Sequence, residues 1–152
     1  GYSSAASDVY KRQESHIGAR TNIGPWTYLR PGNEFGEDAK AGAFVEMKKA
    51  HIGNGTKVPH LSYVGDAQLG DHTNIGGGTI TANYDGVHKN RTTIGSGCHV
   101  GAGNLFVAPV EVGDNVTTGA GSVVRHAVPS DTMVYSENTQ HNVEGWKPAW
   151  ER

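Results

Sequence analysis

Cysteine is almost absent from this chain. Cys98 stands alone among 152 residues, so no internal disulfide can hold the fold together. No apolar run approaches the ~20 residues that cross a bilayer as a helix, and nothing resembles a signal peptide, so the expected location is the cytoplasm. Charge of one sign is lacking too. The formal net charge of -2 gives no electrostatic reason to expect nucleic acid or an anionic membrane as partner. The α-helical period of 3.6 is missing over most of the length, as is sustained strand alternation, which argues against a bundle or a simple sheet.

Glycine is what the chain has, 22 residues of it, mostly placed after an aliphatic residue at regular intervals. The beat starts at Ile17-Gly18 and steps by six through Ile23, Leu29, Phe35 and Ala41. After one dropped residue it runs through Ile52, Val58 and Val64, and after another through Leu69 and Ile75. It resumes at Ile94 and continues through Val100, Phe106, Val112, Thr118 and Val124. Hexapeptide repeats produce such a register. Most residues two before the beat are small (Thr21, Thr56, Ser62, Thr73, Thr92, Cys98, Ser122), so each short strand sends one small and one aliphatic side chain inward. Glycine next in line is expected to let the backbone turn the corner. Three strands make one triangular coil of about eighteen residues, and roughly six coils stack into a parallel β-helix. Packing, not reactivity, is the expectation for Cys98 in its inward slot.

The chain divides into three. Residues 1–13 have no period and no apolar face and read as a fragment leader. Residues 14–128 are the all-β repeat body. Beyond Pro129 the beat fades, and residues 129–152 read as an extended arm whose Trp146 and Trp150 are expected to dock on a neighbouring chain. Between Ile75 and Ile94 a polar segment, Asn83 to Arg91, carries turn signals and both signs of charge. It is expected to leave the body as a solvated loop, where binding groups concentrate. A three-sided body with exposed sheet faces suits a cyclic trimer.

GPWTYLRPG (24–32), FVEMKKA (44–50), HLSYVGDA (60–67), NIGGGTITANYDG (74–86), VAPV (107–110) and EGW (144–146) together resemble one family. It is the C-terminal acetyltransferase domain of the bacterial bifunctional N-acetylglucosamine-1-phosphate uridylyltransferase/glucosamine-1-phosphate acetyltransferase. The resemblance implies a left-handed coil and a homotrimer. It also implies acetyl transfer from acetyl-CoA to the amine of glucosamine 1-phosphate, on the route to UDP-N-acetylglucosamine, peptidoglycan and lipopolysaccharide. The uridylyl-transfer half, with its glycine-rich nucleotide loop, is not in this chain.

Carried over by position, Arg30, Lys48, Tyr63 and Asn74 hold the sugar phosphate, and Lys89 reaches it in a neighbouring subunit. Two cations on adjacent coils suit a phosphate. His60 is the general base for the attacking amine, a task that suits imidazole. Asn83 is expected to orient that base or donate to the developing oxyanion. Gly77, Asn83, Tyr84, Ala102, Ala120 and Glu137 fall at acetyl-CoA positions. Of these, Gly77 stands where Ala is familiar, Ala102 replaces a Ser and Glu137 replaces an Arg; Ala120 matches.

Other readings remain open on the residues alone. A zinc carbonic anhydrase on this repeat needs three converging histidines, and no pair here has its five-residue spacing, so no metal is expected. A non-catalytic scaffold or ice-binding prism would present a uniform Thr or Asn face without a charged loop. Another hexapeptide acyltransferase with a different amine or hydroxyl acceptor is the nearest enzymatic alternative. His16, His51, His72, His99, His126 and His141 are read as surface or satisfied residues.

Overall fold

The computed structural model describes residues 11–12 and 15–152. Its strands are mostly two or three residues long, and their burial follows from alternation: in His16–Ile17, Asn22–Ile23 and Tyr28–Leu29 the first residue is exposed and the second buried. Every pairing between strands is parallel, and three stacks result. The first face runs from Asn22–Ile23 through the start of Lys40–Lys48 and of Lys57–Gly65 to Asn74–Ile75, His99–Val100 and Thr117–Thr118. The second runs from Tyr28–Leu29 through the ends of the same two long strands to Ile80–Ala82, Leu105–Val107 and Val123–Val124. The third holds six strands: His16–Ile17, Glu34–Phe35, His51–Ile52, Ala67–Leu69, Thr92–Ile94 and Val110–Val112. The result is a left-handed parallel β-helix with one extruded loop and a C-terminal arm.

Register on the third face gives the coil length. His16 pairs with Glu34, Glu34 with His51, His51 with Gln68, Gln68 with Thr93 and Thr93 with Glu111, spacings of 18, 17, 17, 25 and 18 residues. The two dropped beats are the coils of 17, and the loop is the coil of 25. Ile23, Leu29, Val58, Val64, Ile75, Ile94 and Phe106 are buried in one column. Burying such a side chain contributes ~1.5–3 kcal/mol each. Met47 and Thr81, which the hexapeptide count passed over, occupy inward beats and are likewise buried.

The inward small residues do more than fill space. The hydroxyls of Thr21 and Thr73 donate to the carbonyls of Gly36 and Gly95, each on the next coil, at 2.7 Å. Thr56 does the same toward Gly70, and Cys98 Sγ stands 3.2 Å from the Gly113 carbonyl. Backbone amides close the ladder in return: Ala39 N donates to Thr21, Thr73 N to Thr56 and Cys98 N to Thr73, all at 3.1 Å. Cys98 thus takes a threonine's place in a polar column.

The reason for the aliphatic-glycine pair differs from the expected one. Left-handed backbone at the corner after the third face falls on Arg20, Asp38, Gly55, His72, Gly97 and Asn115, two residues past the pair. The paired glycines there keep ordinary φ and are required by the closeness of stacked coils instead. A Cβ on Gly76, on the first face, would lie 2.5 Å from the Gly101 carbonyl carbon and 2.6 Å from Ala102 N. Along the corner after the third face a second side-chain ladder runs: Glu37 N donates to Asn54, Asn54 N to Asp71, Asp71 N to Ser96, Ser96 N to Asp114 and Asp114 N to Ser130.

At the C-terminal end the pairing continues past Pro129, where Met133–Val134 joins Thr117–Thr118 on the first face. Pro129 costs the ladder nothing there, because it lies at the corner between Val128, whose N donates to Glu111 O, and Asp131, whose N donates to Asp114 O. At the other end Lys11–Arg12 pairs with Tyr28–Leu29, while residues 1–10 and 13 of the leader lie outside the described residues. Trp146 and Trp150 are exposed in the single chain.

Candidate active site

The second face and its two corners gather most of the residues singled out by sequence. At the corner entering it, backbone stacking aligns one column. Ala43 is in register with His60, Gly78 N donates to Leu61 O, Gly103 N to Gly77 O and Gly121 N to Ala102 O. His60, Gly77, Ala102 and Ala120 therefore succeed one another coil by coil. His60 is exposed and its carbonyl accepts from Ser62 Oγ at 2.7 Å, which fixes the turn that presents the ring. A Cβ on Gly77 would lie 3.5 Å from His60 Cβ, ordinary van der Waals contact, so the alanine familiar at that position fits without strain.

Ala102 and Ala120 are exposed and carry nothing larger than a methyl, leaving an open strip beside His60 along which an extended ligand can lie against backbone. The arm closes the far end of this strip. Val123 N donates to Ser136 Oγ at 2.9 Å and Asn138 Nδ2 to Gly121 O at 3.0 Å, which holds the exposed Glu137 between them.

At the corner leaving the face lies a compact polar cluster. Lys48 Nζ is 3.0 Å from Asp66 Oδ2, with side chains only 13% and 15% exposed. Asn83 Nδ2 donates to the same Oδ2 at 2.6 Å and to the Tyr63 hydroxyl at 3.1 Å. Gly65 is what lets these groups close up, since a Cβ there would strike the Tyr63 hydroxyl and Asn83 Nδ2. One coil earlier, Arg30 Nη1 meets Glu46 Oε2 at 3.3 Å.

Two expectations change. The two cations do not stand as bare charges, because each has a carboxylate beside it, Glu46 or Asp66. Asn83 is also no free amide donor: both hydrogens of its NH₂ are directed at Tyr63 and Asp66, and Oδ1 is what it has left to offer. Asp66 and Glu46 went unmarked in the sequence reading.

The loop leaves at this same corner. Asn83 is buried at its root and residues 84–89 are exposed. Asp85 organises it, with Oδ1 accepting from Val87 N at 2.8 Å and His88 N at 2.6 Å and Oδ2 from Asn90 Nδ2 at 3.1 Å. The His88 and Val87 amides, then Asn90, hold the Asp85 carboxyl below its ordinary range. Tyr84 and Lys89 form an antiparallel bridge, and Lys89 Nζ sits 3.7 Å from the Tyr84 ring centroid. Asn74 stands apart from the cluster, exposed on the first face between Lys57 and His99. Surface concavities are also found away from this site, on the third face. One of about 400 Å³ is lined by His51, Gln68 and Asp71 among others, and no residue expected at the site borders it. Among the described residues no three His, Cys, Asp or Glu side chains gather as a metal site, and no helix is long and apolar enough to cross a membrane.

The family of bacterial transferase hexapeptides (six repeats) matches residues 91–126. The bifunctional protein GlmU of Bifidobacterium longum (strain DJO10A) is 99% identical over 140 residues, 92% of this chain and 30% of that protein. GlmU of Streptomyces griseus is 58% identical over 132 residues, 87% of this chain and 27% of that protein. The chain thus spans under a third of the length of these relatives. Among solved structures, the acetyltransferase domain of PglB from Neisseria gonorrhoeae in complex with acetyl coenzyme A is 23% identical. It matches with a TM-score of 0.67 over 74% of this chain and 53% of its own. The H141N mutant of perosamine N-acetyltransferase from Caulobacter crescentus, with CoA and GDP-perosamine, is 20% identical with a TM-score of 0.65, over 78% of this chain and 52% of its own. At those identities the likeness is one of fold. The chain thus carries the bacterial transferase hexapeptide repeat over residues 91–126 and, over nearly all its length, is similar to the C-terminal part of GlmU.

Proposed function

We propose that this chain is an acetyl-CoA-dependent glucosamine-1-phosphate N-acetyltransferase. The observation that carries the reading is that one face places His60, with a strip of Gly77, Ala102 and Ala120 beside it, at one corner and the Lys48–Asp66–Asn83–Tyr63 cluster at the other. The strip suits the extended chain of coenzyme A, and a thioester is the chemistry that the acyl donor supplies. Arg30, Lys48 and Tyr63 offer donors to a sugar phosphate, and Asn83 Oδ1 offers the acceptor that a sugar amine needs. His60 takes the proton as the amine attacks, and Ala102 and its neighbours present backbone N–H groups to the oxygen on which charge develops. The attack is direct: Cys98 is buried in the thiol-carbonyl ladder, so no acyl-cysteine is involved.

Asn74 on the first face and Lys89 on the loop complete the sugar site only across a subunit boundary, which is the basis for a homotrimer with acetyl-CoA and glucosamine 1-phosphate as its small-molecule partners. A supply of acetyl-CoA places the reaction in the cytoplasm, feeding UDP-N-acetylglucosamine synthesis. Free-thiol release from acetyl-CoA tests the reading. Release is expected with glucosamine 1-phosphate and not with serine or a nucleotide-linked amino sugar. Equal release with either of those would move the chain to another acceptor class, and none with any acceptor would refute acetyl transfer.

A further inference from the structure

Asp66 sits among three functional side chains and contacts two of them directly, Lys48 and Asn83. Its backbone has φ 49 and its amide donates to Lys48 O at 2.8 Å, so the residue is pinned at the corner of the coil. One oxygen, Oδ2, receives both Lys48 Nζ at 3.0 Å and Asn83 Nδ2 at 2.6 Å. The second Asn83 hydrogen goes to the Tyr63 hydroxyl at 3.1 Å.

We propose that Asp66 is a positioning residue that sets the donor and acceptor pattern of this site, holding Lys48 in place and locking the Asn83 amide in one orientation. The lock follows from chemistry. Turned over, Asn83 would place Oδ1 against the Asp66 carboxylate, acceptor against acceptor, at a largely buried position. In the observed orientation Asn83 has only an acceptor to offer a ligand. The Tyr63 hydroxyl, whose oxygen accepts from Asn83, has its O–H to donate. Lys48 keeps two N–H donors while its charge is matched. The pattern is one acceptor beside several donors, which selects an amine lying next to anionic or hydroxyl oxygens. With the amide reversed, two donors would face the amine's own N–H bonds. This deepens the acetyl-transfer reading and rests on it for the identity of the amine.

Asp66→Asn is the informative variant. Asparagine tolerates the left-handed backbone and keeps the size of the side chain while removing the carboxylate. Three readings are taken on the parent and the variant: the melting temperature, the kinetics of thiol release with glucosamine 1-phosphate, and hydrogen exchange of the Asn83 side-chain NH₂ by ¹⁵N NMR. The variant is expected to melt within a few degrees of the parent and to lose ~10- to 100-fold in kcat, the scale of a misplaced reacting group. KM should change less, and the Asn83 NH₂ should exchange faster. A purely structural role would lower the melting temperature and leave kcat of the folded fraction unchanged. Unchanged kcat together with unchanged exchange overturns the proposal. If the parent itself shows no transfer to glucosamine 1-phosphate, the functional reading has failed and Asp66 is judged on exchange alone: faster exchange in the variant upholds its hold on Asn83, and equal exchange overturns it.

Discussion

The imidazole of His60 is exposed, so removing it tests chemistry and leaves the core untouched. His60→Ala is expected to lower kcat for acetyl transfer by ~10² to 10⁴, the usual contribution of a general base, with little change in sugar binding or melting temperature. Equal turnover by mutant and parent would remove His60 from the mechanism. At this scale the sequence marks His60, Arg30, Lys48, Tyr63 and Asn83 through local strings of residues, and the structure puts them on one face or at its corners. It does not mark Asp66 as Lys48's partner or Glu46 as Arg30's. Those contacts join residues 18 and 16 apart, one coil's length, and appear only when the coils stack. The orientation of the Asn83 amide is hidden for the same reason, since the sequence identifies a donor-acceptor side chain but not which end is already spent.

Two elements carry predictions of their own. In the inner threonine column, Thr73 Oγ1 donates to Gly95 O and accepts from Cys98 N. Thr73→Val keeps the shape and strands both partners, so it should destabilise the body by ~1–3 kcal/mol for each buried group left unsatisfied. Chemical denaturation reads this, and an unchanged midpoint would mean that the column is packing alone. In the loop, Asp85 is the hub. Its folded carboxyl titrates below the ordinary range, so its contribution is fully present above the unfolded value of ~3.9 and is lost as pH falls through the lower folded value. Amide exchange at Val87 and His88 should therefore stay slow, relative to the intrinsic rate, down to about pH 4 and rise below it. Asp85→Ala should show the fast behaviour at neutral pH; slow exchange in that variant would place the order of the loop elsewhere. The hexapeptide beat made these elements legible as strands and the loop as an excursion. The ladders linking coil to coil, the role of glycine in close stacking and the strand beyond Pro129 depend on what lies one coil away, which a linear period does not report.

At the scale of the whole molecule, a single chain leaves the site open. Lys89 folds back over Tyr84, Asn74 lies on the first face apart from the Lys48 cluster, and the Trp146 and Trp150 rings are exposed. The proposed trimer would account for all three, and its test is complementation. His60→Ala chains mixed with Lys89→Ala chains, each impaired alone, should regain activity on co-refolding, because some sites then combine intact residues from two subunits. No recovery, or a fully active monomer by light scattering, would place the whole site within one chain. Identification of the product tests the central claim most directly. Incubated with acetyl-CoA and glucosamine 1-phosphate, the protein should yield N-acetylglucosamine 1-phosphate by mass spectrometry, with one free coenzyme A thiol per acetylated sugar. Intact glucosamine 1-phosphate after prolonged incubation, or acetylation at a hydroxyl instead of the amine, would contradict the account.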